Sequence, residues 1–238
     1  MDERFRLAFV SGKLGDVDGV SLESDKWMRL LKEQGHEIFA IAGKFSTPLD
    51  YLPTERQIEL PSIRFDSKDQ RRYEHQVFPY LTSNRPPQLN GTQKKEVVEE
   101  LETLGGDVAS HLFDLIQQHD IDAIVAENTN AMPMTLLGGI AVHLVATEMR
   151  VATLFHHHDF WWERSRFSNN YIRSLLTRIM PPADLGLEHV VISSYAAHIL
   201  SSIRRVSPFV IPNCEDFDSP PLPDDYNGSF REELGFAP

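Results

Sequence analysis

"RLAFVSGKLGDVDGVSLESDKWMRLLKEQGHEIFAIAG", residues 6–43, decides the fold class. Its first seven residues, RLAFVSG, are a short apolar run ending in glycine, the pattern of a strand buried on both faces. Val20, Trp27, Leu30 and Leu31 then recur at helical spacing, predicting a helix with one apolar face that stops near Gly35. EIFAIAG (37–43) is a second buried strand. A strand, a crossover helix and a second strand form a βαβ unit, which requires a parallel sheet.

The alternation lapses and then resumes. Pro48, Pro53, Pro61, Pro79, Pro86 and Pro87 punctuate residues 44–90, predicting an irregular excursion at the functional end of the sheet, with room for one strand in RQIELPSIRF and a short helix in SKDQRRYEHQVF. Apolar residues from Val97 to Leu115 at three- and four-residue spacing predict a long helix, with a kink possible at Gly105 and Gly106. IDAIVAEN (121–128), VATLF (151–155), HVVIS (189–193) and PFVIP (208–212) read as strands. PMTLLGGIAVHLVATEM (133–149), residues 169–180 and SYAAHILSSI (194–203) read as helices, the first beginning at Pro133. The expectation is an α/β, Rossmann-like, doubly wound parallel sheet over residues 1–213. Residues 214–238, rich in proline and aspartate, read as an interdomain linker leading to a second domain.

Bulk properties narrow the function. With 23 basic and 35 acidic residues the formal charge is -12, which argues against nucleic acid as a partner. A single cysteine, Cys214, allows no intrachain disulfide, so a reducing, cytoplasmic setting is expected. The N-terminus has no signal-peptide pattern, and no apolar run reaches the length of a membrane span.

Three places could carry chemistry. The glycine loop before the first helix presents backbone N–H groups and a favourable dipole to an anion or to sugar hydroxyls, so Gly15, Gly19, Val20 and Ser21 are candidate ligand-lining residues. A plain strand-to-helix turn is the alternative. The spacing is not G-x-G-x-x-G, so the nicotinamide-cofactor fingerprint is absent. In AENTNAMPM (126–134), Glu127, Asn128 and Asn130 sit where open α/β sheets bind ligands, although helix capping would also employ such residues. LFHHHDFWWERSRF (154–167) joins three histidines to an aspartate and two tryptophans at the end of a buried strand. Strand alternation puts His156 and His158 on one side and His157 on the other. A metal site needs at least three convergent ligands, which consecutive residues rarely supply, so none is expected here. Histidine beside a carboxylate suits hydrogen-bonding or proton-transfer work. Phe160, Trp161 and Trp162 could stack on a sugar or pack the core, and Glu163, Arg164 and Arg166 could hold polar substrate groups or be a solvated helix start.

Four segments, GVSLESDKWMRLLKEQGHEIFAIAG, AENTNAMPM, HHHDFWWERSRF and VVISSYAAHIL…FVIPNCEDF, occur in an order that resembles the N-terminal half of a family 4 glycosyltransferase of the two-Rossmann GT-B architecture. The resemblance spans nearly the whole chain apart from residues 44–90. It implies transfer of a sugar from a nucleotide sugar to an acceptor hydroxyl with retained configuration, without a metal or other cofactor. It implies that this half holds the acceptor, while a C-terminal domain holds the donor through a basic pair and two glutamates. The family's N-terminal histidine, which lies near the transferred sugar, corresponds to His158, followed by Asp159, with His156 next. The resemblance also implies that residues 1–238 alone are inactive. A lone Rossmann-like binding module and a histidine-cluster metal hydrolase are the competing readings. IPNCEDF departs from the family's commoner Ile-Pro-Asn-Gly-Val-Asp.

Overall fold

The computed structural model describes residues 4–79, 88–214 and 234–235. Seven strands form one all-parallel sheet: β1 (Arg6–Ser11), β2 (Glu37–Ala42), β3 (Gln57–Glu59), β4 (Ala123–Glu127), β5 (Ala152–His157), β6 (Glu188–Val191) and β7 (Phe209–Val210), in spatial order β3-β2-β1-β4-β5-β6-β7. The α-helices are α1 (Gly19–Glu33), α2 (Lys68–Val77), α3 (Gly91–Gln118), α4 (Leu136–Thr147), α5 (Ser165–Ser168), α6 (Arg173–Ile179) and α7 (Ser194–Arg204). The order reverses between β1 and β4. In a doubly wound sheet, ligands bind in the crevice outside the carboxyl ends of the strands at such a switch point. The Rossmann-like class expected for the chain is the one observed.

Strand alternation sorts the core into two layers. Ala8, Val10, Ile124, Ala126 and Phe155 face a large cluster that includes α3, α4, α6 and α7, whereas Phe9, Ile38, Ala40 and Val125 face a smaller one under α1. On the larger side α4 is buried nearly all round, packed within this cluster and against α3. Gly105 makes that approach possible. A Cβ there would lie 2.4 Å from Ile140 Cγ2, too close for real packing. Gly105→Ala is therefore expected to destabilise the fold by about 1–3 kcal/mol, seen as a lower denaturant midpoint with an unchanged slope. Ile140→Val in the same chain should not restore the lost stability, because valine keeps the Cβ and γ carbon that the new methyl would meet.

Several sequence expectations shift in detail. The face that α1 buries is Ser21, Glu23, Ser24 and Met28, with Trp27 and Leu31 half-buried, while Leu30 is 55% exposed. Pro133 precedes α4 rather than starting it, and the Thr135 side chain caps the helix by accepting from Gly138 N–H. Within the 44–90 excursion, β3 extends the sheet and α2 contributes Tyr73 and Val77 to the core. α3 runs as one helix through Gly105 and Gly106. Among the described residues, no helix is long and apolar enough to cross a membrane. The linker reading of 214–238 and the short helix read in SFREELGF lie outside the described residues, except for Cys214, Leu234 and Gly235.

Candidate active site

The carboxyl ends of β4 and β5 bring three titratable side chains together. Glu127, the last residue of β4, pairs in register with His156 of β5, and both side chains point to the α1 side. Both are fully buried. His156 Nδ1 donates to the Glu127 carboxylate, 3.2 and 3.1 Å from its two oxygens. His158, two residues on and so on the same side, places Nε2 3.6 Å from Glu127 Oε2. The two imidazoles lie 4.6 Å apart, and the Trp27 indole of α1 stacks on His156 at 4.6 Å and 26°. Burial alone would raise the Glu127 pKa. Hydrogen bonds and charge from His156 and His158 outweigh it and hold the carboxyl below its ordinary value of 4.5. A buried anion is thus kept by two histidines, one of which borders the surface. His158 Nε2 turns toward Glu127.

His158 is fixed from behind. Asn128 adopts a left-handed backbone (φ 54), a conformation asparagine tolerates better than most residues. Its Oδ1 accepts from His158 N–H at 3.1 Å, and its Nδ2 donates to Asp159 Oδ1 at 3.2 Å. Arg164 grips Asp159 with Nε and Nη2 at 2.9 and 2.6 Å. Asn128, Asp159 and Arg164 therefore tie the β4 and β5 loops into one frame around the histidine.

The other candidates are placed elsewhere. Asn130 is fully buried and donates to the carbonyls of Gly139 and Ile179, so its amide serves the fold rather than a cleft. Glu163 accepts from Phe160 N–H and closes a 3-10 turn, Trp161–Glu163. Trp162 stacks on Phe160 at 4.6 Å, a packing role. Arg166 lies over the Phe167 ring. In the glycine loop, Gly15 has φ 69 and backs onto the carbonyl of Thr47, which leaves no room for a Cβ. The expected free N–H groups at the start of α1 are occupied: Asp18 caps the helix, accepting from Val20 N–H, Ser21 N–H and Ser21 Oγ. Asp18 is in turn paired with Lys13 at 3.0 Å. Of that loop's candidates only Gly19 is exposed, with open space around it. Lys13 was not singled out from the sequence, because a lone lysine in a glycine loop has no distinguishing pattern.

His157 looks the other way. Its Nε2 lies 3.0 Å from His189 Nδ1 within the larger core, where burial pushes the His189 pKa down to about 4 and His157 well below 6.5. An unfolded chain would protonate both near 6.5. Their contribution to stability is therefore complete above about pH 6.5 and is lost as pH falls toward 4. From His189 alone the loss at pH 5 is on the order of 2 kcal/mol. Thermal melts of the protein should drop from pH 7 to pH 5, and His189→Gln should flatten that slope. Equal slopes in the two proteins would show that this pair does not control acid stability.

Among the described residues, Glu127, His156 and His158 are also the group that could hold a metal ion, their ligand atoms all lying within 4.8 Å of one another. Sequence reasoning sought three ligands within the histidine run. The third comes from the neighbouring strand, through a register that sequence does not display.

Comparison with known proteins bears on what this group does. The chain is similar to glycosyltransferases. It is 29% identical over 237 residues to mannosylglucosylglycerate synthase of Thermotoga maritima and 27% identical over 235 residues to mannosylglucosylglycerate synthase of Petrotoga mobilis. These matches cover 98% and 97% of this chain and 50% of each relative, so the chain spans about half the length of the curated relatives it matches. No family model matches it. The likeness supports glycosyl transfer in general.

Proposed function

We propose that this chain is the acceptor-side half of a retaining GT-B glycosyltransferase, which moves a sugar from a nucleotide sugar to an acceptor hydroxyl. The observation that carries the reading is the Glu127–His156–His158 group at the carboxyl ends of β4 and β5, next to the switch point. Breaking a sugar–phosphate bond creates an oxocarbenium-like centre and a departing diphosphate, and the attacking hydroxyl must be held in line. His158 Nδ1 hydrogen-bonds the transferred sugar. Glu127 holds the ring through its other nitrogen and supplies negative charge near the cationic sugar. Asn128, Asp159 and Arg164 keep the imidazole in place. Gly19, at the exposed start of α1, leaves space for sugar hydroxyls. Diphosphate stabilisation and most donor contacts come from a second domain that follows residues 214–238, and without that domain residues 1–238 do not turn over. By the names of its relatives, the transferred sugar is a mannosyl group and the acceptor is glucosylglycerate.

The test is to incubate the protein, with and without the donor-binding half, with a panel of nucleotide sugars and glucosylglycerate. Product is expected only when both halves are present. Turnover by residues 1–238 alone would contradict the division of labour. A second reading, a metal-dependent hydrolase, is favoured by one observation, the ligand-atom spacing of 3.1 and 3.6 Å from Glu127 Oε2 to the two histidines, which would suit a shared ion. Elemental analysis separates the two. The transferase reading expects far less than one zinc per chain, and activity that survives EDTA.

A further inference from the structure

A second cleft lies on the other half of the same sheet edge, and no part of the glutamate–histidine group uses it. The loops after β1, β2 and β3 enclose a cavity of about 220 Å³ lined by Gly12, Lys13, Lys44, Arg64, Phe65 and Asp66. These loops are pressed together: a Cβ on Gly12 would fall 2.0 Å from the Phe65 ring, and one on Gly43 would fall 2.4 Å from Arg64 Cα. The cavity is therefore a built feature. Three cations and one carboxylate line it, and two further carboxylates stand against Lys13. Lys13 is held by Asp16 and Asp18, and Arg64 by Asp66. Lys44 has no carboxylate within 4 Å among the described residues. Phe65 and Asp66 also wall an adjoining cleft of about 370 Å³, where Arg71 and Arg166 stand with Glu74.

We propose that this cleft binds the anionic group of the acceptor, a carboxylate or a phosphate monoester, with Lys44 as its principal contact and Arg64 as its second. The inference rests on the transferase reading only for the word acceptor; anion binding here is a property of this chain alone. A compact, strongly hydrated ammonium and a planar guanidinium suit a small oxyanion.

Isothermal titration of the protein at low salt tests it. The probes are D-glycerate, glycerol as its uncharged counterpart, inorganic phosphate, and a nucleoside diphosphate. D-glycerate should bind saturably and glycerol should not. Lys44→Met, at an exposed side chain, should keep the melting temperature and weaken D-glycerate binding about tenfold, and adding Arg64→Met should abolish it. Added salt should weaken it further. Phosphate binding by the same lysine in preference to D-glycerate would support the site and assign a phosphorylated acceptor. No saturable D-glycerate or phosphate binding, or binding indifferent to Lys44→Met, would overturn the proposal. So would competition showing that the nucleoside diphosphate alone occupies the cleft. The two readings fail separately. Lys44-dependent anion binding without any sugar transfer would sink the transferase and leave the site. Transfer whose acceptor KM ignores Lys44→Met would sink the site and leave the transferase.

Discussion

His158→Ala, in the protein that carries the donor-binding half, should lower kcat for sugar transfer by about 10²–10³-fold, the usual loss when one preorganised hydrogen-bonding group is removed at a reacting centre. The fold should survive. His158 lies beyond the last paired residue of β5, and its side chain is tilted over His156. Donor and acceptor KM should change much less than kcat, because the ring is proposed to meet the transferred sugar and not the nucleotide. His158→Gln should recover part of the rate, since its amide can still hydrogen-bond a hydroxyl. Asp159→Asn should fall between wild type and His158→Ala, because it loosens the Arg164 and Asn128 frame while leaving the imidazole in place. Turnover within a few-fold of wild type in His158→Ala would remove the histidine from the chemistry.

Glu127→Ala should show the largest stability loss at the site. It would leave the fully buried His156 imidazole without its acceptor, and removing one partner of a buried charged pair costs about 3–5 kcal/mol. For a chain of this size that corresponds to roughly 6–20 °C in Tm. Glu127→Gln keeps the shape and one carbonyl, so its cost should be nearer 1–3 kcal/mol. The pH dependence has a defined sign. The folded-state pKa of Glu127 lies below 4.5, so its contribution is complete above pH 4.5 and disappears as pH falls through the folded value. Wild type and Glu127→Gln should therefore differ at pH 7 and converge in acid, as followed by chemical denaturation across pH. A gap that persists at the lowest pH at which both proteins fold would mean that packing, not the carboxylate charge, sets the difference.

Much of this was legible before any coordinates, and the boundary has physical causes. Strands β1, β2, β4, β5 and β6 announce themselves as short apolar runs because a parallel sheet is buried on both faces. The grouping of His156 with His158 follows from strand alternation, a local property. What local pattern could not show was register. Glu127 meets His156 because β4 and β5 align those two residues across 29 positions of sequence. The same blindness hid the metal-capable geometry of the trio and the Lys13–Asp18 pair that occupies the start of α1. Asn130 shows the opposite failure. An asparagine after a strand end reads as a ligand contact, but here it satisfies two buried carbonyls that the chain would otherwise leave unpaired. The basic cleft was invisible because Lys13, Lys44 and Arg64 come from three separate loops.

The most direct test of the central claim is product analysis by NMR after the protein, joined to the proposed donor-binding half, meets a nucleotide sugar and glucosylglycerate. The account predicts a new glycosidic linkage whose anomeric configuration matches that of the donor, formed after EDTA treatment and depending on His158. Free sugar as the sole product, released only when zinc is bound stoichiometrically, would contradict it.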